Sequence, residues 1–274
     1  AAPAAVSNTR FRSRHMTFNA SGHYFSPGFR SENGFLPEAN SMGLEHKTEF
    51  LAYPKWKTIP RIFFYPANAG AAWHTDGEMR KVLVEPGFGS RFSNGAFFMI
   101  EGNHIGELYE EQWLVYDRLE GFTAASWTKW LRTRFGMATG QAPLYDPANP
   151  QIGWSTRIRG DIAIQPVPAL IFSPVLTWER FLLNGQQQYD GWVGRFKIET
   201  FFTPQWWARL ILDRSTFDEM RSIEALFAHE REPGKAIYLG GQIQRGGLNE
   251  VGEPDPTLGP NWQIFTKVSW VFGS

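Results

Sequence analysis

In several short stretches of this chain the charged residues sit at every second position. Arg157, Arg159 and Asp161 alternate with Ile158, Ile162 and Ile164, and Glu45, Lys47 and Glu49 alternate with Leu44, His46, Thr48 and Phe50. Arg132 and Arg134 oppose Leu131, Thr133, Phe135 and Met137, and Lys197 and Glu199 share one parity farther along. Residues two apart lie on one face of a strand, so each set makes a charged row. Rows of mixed sign either line a water-filled path with weak charge selection or close such a space with ion pairs.

Covalent chemistry has no comparable pattern. The histidines His15, His23, His46, His74, His104 and His229 offer no short spacing that puts two on one face, as a zinc site built from one segment needs. Glu110 and Glu111 are adjacent, so on a strand they face opposite ways and cannot share a proton. Asn103-His104 with Ser126 is the nearest approach to a hydrolytic set, and Glu101-Gly-Asn-His104 is expected near a loop. Asp76, Asp146 and Asp255 lie in expected loops without the spacing of a calcium loop. No catalytic residue, metal ligand or cofactor is assigned, and the chain reads as a non-enzyme.

Lys plus Arg and Asp plus Glu number 27 each, which removes the electrostatic case for a nucleic-acid partner. The absence of cysteine excludes disulfides and thiolate-bound metals. No apolar run is long enough for a helix to span a membrane, which takes about 18 residues or more. Yet there are 12 Trp and 23 Phe, more rings than one soluble core usually needs, and barrels collect such rings in girdles at the lipid interfaces.

The rows need strands of roughly ten residues, the length at which a tilted strand crosses the hydrocarbon layer. Alternation and turn residues predict strands near 9–19, 42–52, 59–67, 77–86, 94–103, 110–119, 127–138, 154–165, 172–183, 193–202, 205–213, 222–231, 236–245 and 262–272. The expected fold is all-β: a transmembrane antiparallel up-and-down β-barrel of about fourteen strands, forming one domain over 1–274. Thr203-Pro-Gln205 and Glu232-Pro-Gly-Lys235 read as tight turns, and Leu183 to Trp192 and Gly246 to Asn261 as longer loops. Short turns on one rim and long loops on the other match periplasmic and extracellular sides. Residues 1–8 are expected as an extension whose small residues suit the mature end left by leader cleavage. The glycine-rich 20–40 stretch is the expected plug. In the last strand Trp262, Ile264, Val268, Trp270 and Phe272 share the face expected to meet lipid, and Gln263, Lys267 and Ser269 share the other, interrupted by Phe265.

Four segments carry a resemblance: Phe29-Arg-Ser-Glu-Asn-Gly-Phe-Leu-Pro37, Arg195 to Leu210, Ala228 to Leu239, and Ile264-Phe-Thr-Lys-Val-Ser-Trp-Val-Phe272. In this order they resemble the C-terminal region of an uncharacterised bacterial family in which an outer-membrane barrel follows a module similar to family 9 carbohydrate-binding domains. The resemblance implies a bacterial outer-membrane location, contact with outer-membrane lipid, and assembly machinery that reads the aromatic C-terminal strand. It implies a porin-like channel, or an anchor or conduit for a partner. The sugar-binding module would come from a separate extracellular or periplasmic subunit, or from a part removed before maturity. Arg231-Glu-Pro-Gly234 is one residue longer than the family's turn, which predicts a bulge there. The alternative, a soluble carbohydrate-binding or carbohydrate-active β protein whose Trp residues stack on sugars, stays open, because alternation does not say which solvent each face meets.

Overall fold

The computed structural model describes residues 3–27, 40–232, 235–247, 255 and 257–270. Its strands are β1 (Ala4–Arg12), β2 (Met16–Phe25), β3 (Ser41–Ala52), β4 (Arg61–His74), β5 (Met79–Arg91), β6 (Phe97–Tyr109), β7 (Gln112–Ser126), β8 (Leu131–Leu144), β9 (Gln151–Val167), β10 (Leu170–Leu183), β11 (Gln186–Phe201), β12 (Trp206–Ser215), β13 (Arg221–Glu232), β14 (Lys235–Arg245) and β15 (Asn261–Trp270). They form one 15-stranded antiparallel sheet in sequence order, with β1 and β15 at its edges. By their contacts the residues group into two compact units. Ala1–Thr123, Met137–Thr156 and Leu182–Gln186 make the first, and Ala124–Gly136, Arg157–Phe181 and Gln187–Ser274 the second.

The meander agrees with the expectation, and the strand count differs by one. The expected strand at 9–19 is a hairpin: the Ser13 N–H donates to the Met16 carbonyl at 2.8 Å, and the Ser13 hydroxyl accepts the Met16 N–H at 3.1 Å. Its turn has no glycine, proline or asparagine, so nothing in composition announced it. The 20–40 stretch does not act as one piece either. Residues 20–25 belong to β2, and 28–39 lie outside the described residues, with the Asn33-Gly-Phe35 motif among them.

Leu183 to Trp192 is likewise not a long loop. Asn184 (φ 52°) and Gly185 (φ 78°) form a two-residue turn, and β11 starts at Gln186. Asn-Gly is the sequence that such hairpins favour, because both central residues need positive φ. The two longest connections, 26–40 and 246–260, fall on one rim, but that rim also carries two-residue turns, so the sorting by length rests on those two loops. Glu110 (φ 44°) and Glu111 (φ 64°) make another two-residue turn rather than part of a strand. Left-handed backbone at a non-glycine residue costs about 1 kcal/mol or more. Glu110→Asn with Glu111→Gly should therefore raise unfolding stability by about 1–2 kcal/mol, measured by guanidinium titration in micelles.

Irregularities in the pairing set which side chains share a face. At Glu230/Glu232 the β13–β14 register shifts, which is the bulge expected beside Arg231. In β4 the pairing with β3 slips between Lys47 and Phe50, and the pairing with β5 slips between Tyr65 and Asn68. Pro66 sits in the β4 slip, where no ladder hydrogen bond needs its missing N–H. Arg61, Phe63 and Tyr65 therefore share a face with Asn68, not with Ala67.

The buried apolar side chains lie on the same face as the charged rows. In the first unit Leu51, Phe63 and Tyr65 form a cluster, with Phe97 and Met99 packed on it. In the second unit Phe181, Ile211, Leu226, Ala228 and Ala236 are buried. Several rings on this face lie on cross-strand glycines. Tyr65 pairs with Gly87, Phe63 with Gly89 and Phe265 with Gly240, and in each pair the space a Cβ would take on the glycine is filled by the ring. Phe265 thus interrupts the polar row of β15 with its ring laid over Gly240.

Candidate functional site

Cross-strand register sorts the sheet into a charged face and an apolar face. On the apolar face Leu44 is 63% exposed, Ile223 51%, Leu239 55% and Ile264 73%. On the charged face the Asp213 side chain is only 16% exposed and that of Glu179 18%. A water-soluble sandwich has the reverse arrangement, with apolar faces covered and charges out.

In the first unit the expected residues Glu45, Lys47 and Glu49 stand on the charged face of β3, and each has a neighbour from another strand. The Ser21 hydroxyl donates to Glu45 at 3.5 Å, and Arg61 pairs with Glu49 at 3.7 Å. Lys47 Nζ lies 5.4 Å from the centre of the Tyr65 ring, and the Tyr65 hydroxyl donates to Glu101 Oε2 at 2.7 Å. These groups border a hollow of about 250 Å³ whose floor includes Phe63 and Phe97, stacked at 5.5 Å. Arg118 and Glu120 form a further ion pair on β7.

In the second unit the expected Arg157 donates from Nε to Glu179 at 2.8 Å. The Tyr189 hydroxyl reaches the other Glu179 oxygen at 3.1 Å. Arg159 grips Asp161 with two bonds, at 3.1 and 2.9 Å, and Lys197 pairs with Glu199 at 2.7 Å. Arg195 and Asp213, direct cross-strand partners, make a two-pronged pair at 2.7 and 2.9 Å, and Arg209 donates to Glu224 at 2.8 Å. Arg132 and Arg134 are exposed on the same parity of β8. Charge-assisted, two-pronged contacts of this kind hold side chains in fixed positions, so the face is a lattice of alternating sign.

Arg61, Tyr65, Glu179, Arg195, Asp213, Arg209 and Glu224 were not singled out from sequence as lining residues, and Glu101 was noted only beside an expected loop. Arg195 continues the parity of Lys197 and Glu199 and was readable. The others needed cross-strand register, which depends on the bulges and turns.

On the apolar face the expected closing-strand residues Trp262, Ile264 and Val268 are exposed. The Trp270 backbone pairs with Lys235, and Phe272 lies outside the described residues. Rings gather at strand ends: Trp56, Trp127, Trp130 and Trp206 toward one rim, Trp73, Trp113 and Trp262 toward the other. A barrel's interfacial girdles would have rings at these two levels.

The hydrolytic set does not assemble. His104 lies within β6 rather than in a loop, and its Nδ1 contacts Asp117 Oδ1 at 2.8 Å, while Ser126 ends β7 nine residues beyond Asp117. The loop aspartates cap their own turns. Asp76 accepts the Glu78 N–H and Asp146 the Ala148 N–H. Asp255 accepts both the hydroxyl and the N–H of Thr257, bonds that hold its carboxyl below the usual carboxylate range.

No family model and no curated protein matches this chain. Among solved structures, a mutant ferric enterobactin receptor from Pseudomonas aeruginosa overlays 97% of this chain at 10% identity, with a TM-score of 0.46. This chain spans 57% of that receptor's length. An anion-selective porin from Comamonas acidovorans is similar over 97% of this chain and 98% of its own, at 7% identity and a TM-score of 0.40.

Proposed function

We propose that this chain is a bacterial outer-membrane β-barrel whose charged face lines a passage for small hydrophilic solutes. The observation that carries this reading is the inversion of the two faces: apolar side chains stand in the open while carboxylates are sheltered beside half-exposed guanidinium partners. Lipid is the solvent in which such an apolar face is stable, and the strands are long enough to cross it. Backbone groups in lipid must all be paired, so this reading requires the edges β1 and β15, unpaired in this structure, to close on each other. With an odd strand number that seam runs parallel, unlike the even-numbered seams usual in bacteria.

Glu45, Lys47, Glu49, Arg132, Arg134, Arg157, Arg159, Asp161, Lys197 and Glu199 are the lining residues in this reading. Their alternating sign predicts weak ion preference. Assembly machinery and outer-membrane lipid are the partners. The resemblance to a family with a sugar-binding module adds a separate extracellular or periplasmic subunit, with the barrel as its anchor.

Planar-bilayer recording tests the passage: stable conductance steps are expected, with a reversal potential near zero under a salt gradient. Stable insertion with no conductance would leave only the anchor. A protein that stays monodisperse in buffer without detergent is not a barrel. Because the chain has no native cysteine, pairs placed in β1 and β15 report the seam directly. A disulfide within one chain is expected, and disulfides only between two chains would refute closure.

A further inference from the structure

The apolar face of the second unit ends in a basic row. Leu212, Ile223, Ile243 and Trp262 are successive cross-strand partners on β12 to β15. Two residues farther toward the strand ends, Arg214, Arg221 and Arg245 stand directly opposite one another on β12, β13 and β14. Direct partners share a face, so the three guanidinium groups continue the apolar face, and all three residues are exposed. Arg214 is the last residue but one of β12, Arg221 the first of β13 and Arg245 the last of β14. The row therefore lies at the rim, about 7 Å along the strands beyond the level of Trp262.

Like charges directly opposite one another weaken a ladder unless something neutralises them. On the other face of these strands Arg195 and Arg209 have carboxylate partners in Asp213 and Glu224. Among the described residues no member of the row has one, Asp218 and Glu219 in the adjoining turn included. Asp218 accepts the Met220 N–H. Asp190, on the same face of β11, is taken by the Trp178 Nε1–H at 2.7 Å and by Arg180 at 3.9 Å. Arg214 is held in place: the Trp192 indole lies 5.4 Å from its guanidinium and covers Gly194, its cross-strand partner, where a Cβ would come within 2.9 Å of the ring. The Trp192 backbone is pinned in turn by Thr216, whose hydroxyl accepts its N–H at 2.8 Å and whose N–H donates to its carbonyl at 2.9 Å.

Resting on the membrane reading above, we infer that Arg214, Arg221 and Arg245 bind the phosphates of a lipid headgroup with two phosphate monoesters, of the phosphorylated glycolipid class. The row has the right level. Indole rings sit at headgroup depth, and here Trp262 stands two residues inside the row and Trp192 two residues outside it. This end also carries the long 246–260 connection, the extracellular side in the membrane reading. An arginine near the interface costs a barrel about 1 kcal/mol or less, so the row is tolerated where the midplane would not tolerate it. The charge fits as well. A phosphate monoester carries a charge of about −1.5 to −2 and three acceptor oxygens, so two of them neutralise three guanidinium groups. The row spans about 10 Å across three strands, and a sugar scaffold holds two phosphates apart over such a distance. A phosphodiester headgroup brings one negative charge and leaves two arginines facing each other. Guanidinium forks also meet phosphate oxygens with paired bonds, which an ammonium cannot do.

Native mass spectrometry of the whole chain in detergent, with bisphosphorylated lipid A, its monophosphorylated form, phosphatidylglycerol or phosphatidylcholine added singly, tests this. Retention of the bisphosphorylated lipid is expected to exceed that of phosphatidylglycerol by about tenfold, the equivalent of 1.4 kcal/mol, with the monophosphorylated form between them. Arg214→Gln, Arg221→Gln and Arg245→Gln together are expected to bring it down to the phosphatidylglycerol level, and Arg221→Gln alone, at the centre of the row, to lower it about fivefold. Lys55→Gln, Lys57→Gln and Lys129→Gln together remove three cations from the opposite rim and are expected to change nothing. Equal retention of the bisphosphorylated lipid and phosphatidylglycerol by the unmodified chain, unchanged preference in the arginine variants, or an equal loss in the lysine variant overturns the site. Excess inorganic phosphate is expected to leave the lipid bound; displacement would make the row a site for free phosphate and overturn the lipid assignment. The same samples are offered to vesicles and treated with protease. A chain that inserts and is protected yet shows no preference refutes the site alone, whereas a chain that never inserts refutes the membrane reading and the site together.

Discussion

Leu239→Arg should lower stability by about 2–4 kcal/mol in a lipid bilayer, the cost of an arginine at the midplane of a barrel's outer face. Leu239 lies in the middle of β14 and is 55% exposed, opposite Phe227 on β13. In water the same substitution at so open a site changes stability by about 0.5 kcal/mol or less. The prediction thus separates the two solvents that the apolar face could meet. Guanidinium unfolding in vesicles, with Leu239→Ala as the size control, gives the number. A difference between Arg and Ala of less than about 1 kcal/mol would favour the soluble carbohydrate-binding alternative. Ile223, on the same face, provides an independent second position.

The residues differ in how much of this was legible beforehand. From β5 to β15 each expected strand meets one observed strand, because each carries a period-two pattern bounded by turn residues. β4 is the instructive case. Its expected end at residue 67 coincides with the slip at Pro66, where the parity of facing residues reverses and a single alternating pattern stops describing the strand. The true strand continues to His74. The Asn184-Gly185 turn was written in the sequence and should have been read. The turn at residues 13–15 was not, since its hydrogen bonds come from Ser13, a residue that serves as readily in a strand.

The charged face was half legible for a related reason. Spacing along a strand shows which residues share a face, and that identified Arg157, Arg159, Lys197 and Glu199. Which charge meets which across the ladder depends on register. Asp213 falls opposite Arg195 only because β11 and β12 pair with their sum of positions fixed by the turn at residues 202–205. The inverted exposure of the two faces was not available from alternation at all. It comes from the sheet having nothing packed on its apolar side among the described residues.

Gly89→Ala should be strongly damaging, with a loss of about 3 kcal/mol or more. A Cβ there falls inside the Phe63 ring and 2.5 Å from the Phe98 carbonyl oxygen. Phe63 belongs to the buried cluster with Leu51 and Tyr65, so the ring has little room to yield. At Gly87 the three atoms nearest a new Cβ all belong to the Tyr65 side chain, and Gly87→Ala should cost less, about 1–3 kcal/mol. The two sites then respond differently to relief. Tyr65→Ala should recover most of the Gly87→Ala penalty, giving a coupling above about 1 kcal/mol, whereas Phe63→Ala should recover only part of the Gly89→Ala penalty because the carbonyl contact remains. Gly160→Ala, where no atom lies within 4 Å, is the control and should be neutral or slightly stabilising. Unfolding midpoints in micelles check the series. If Gly89→Ala unfolds like Gly160→Ala, the ring-on-glycine contacts do not hold this face together.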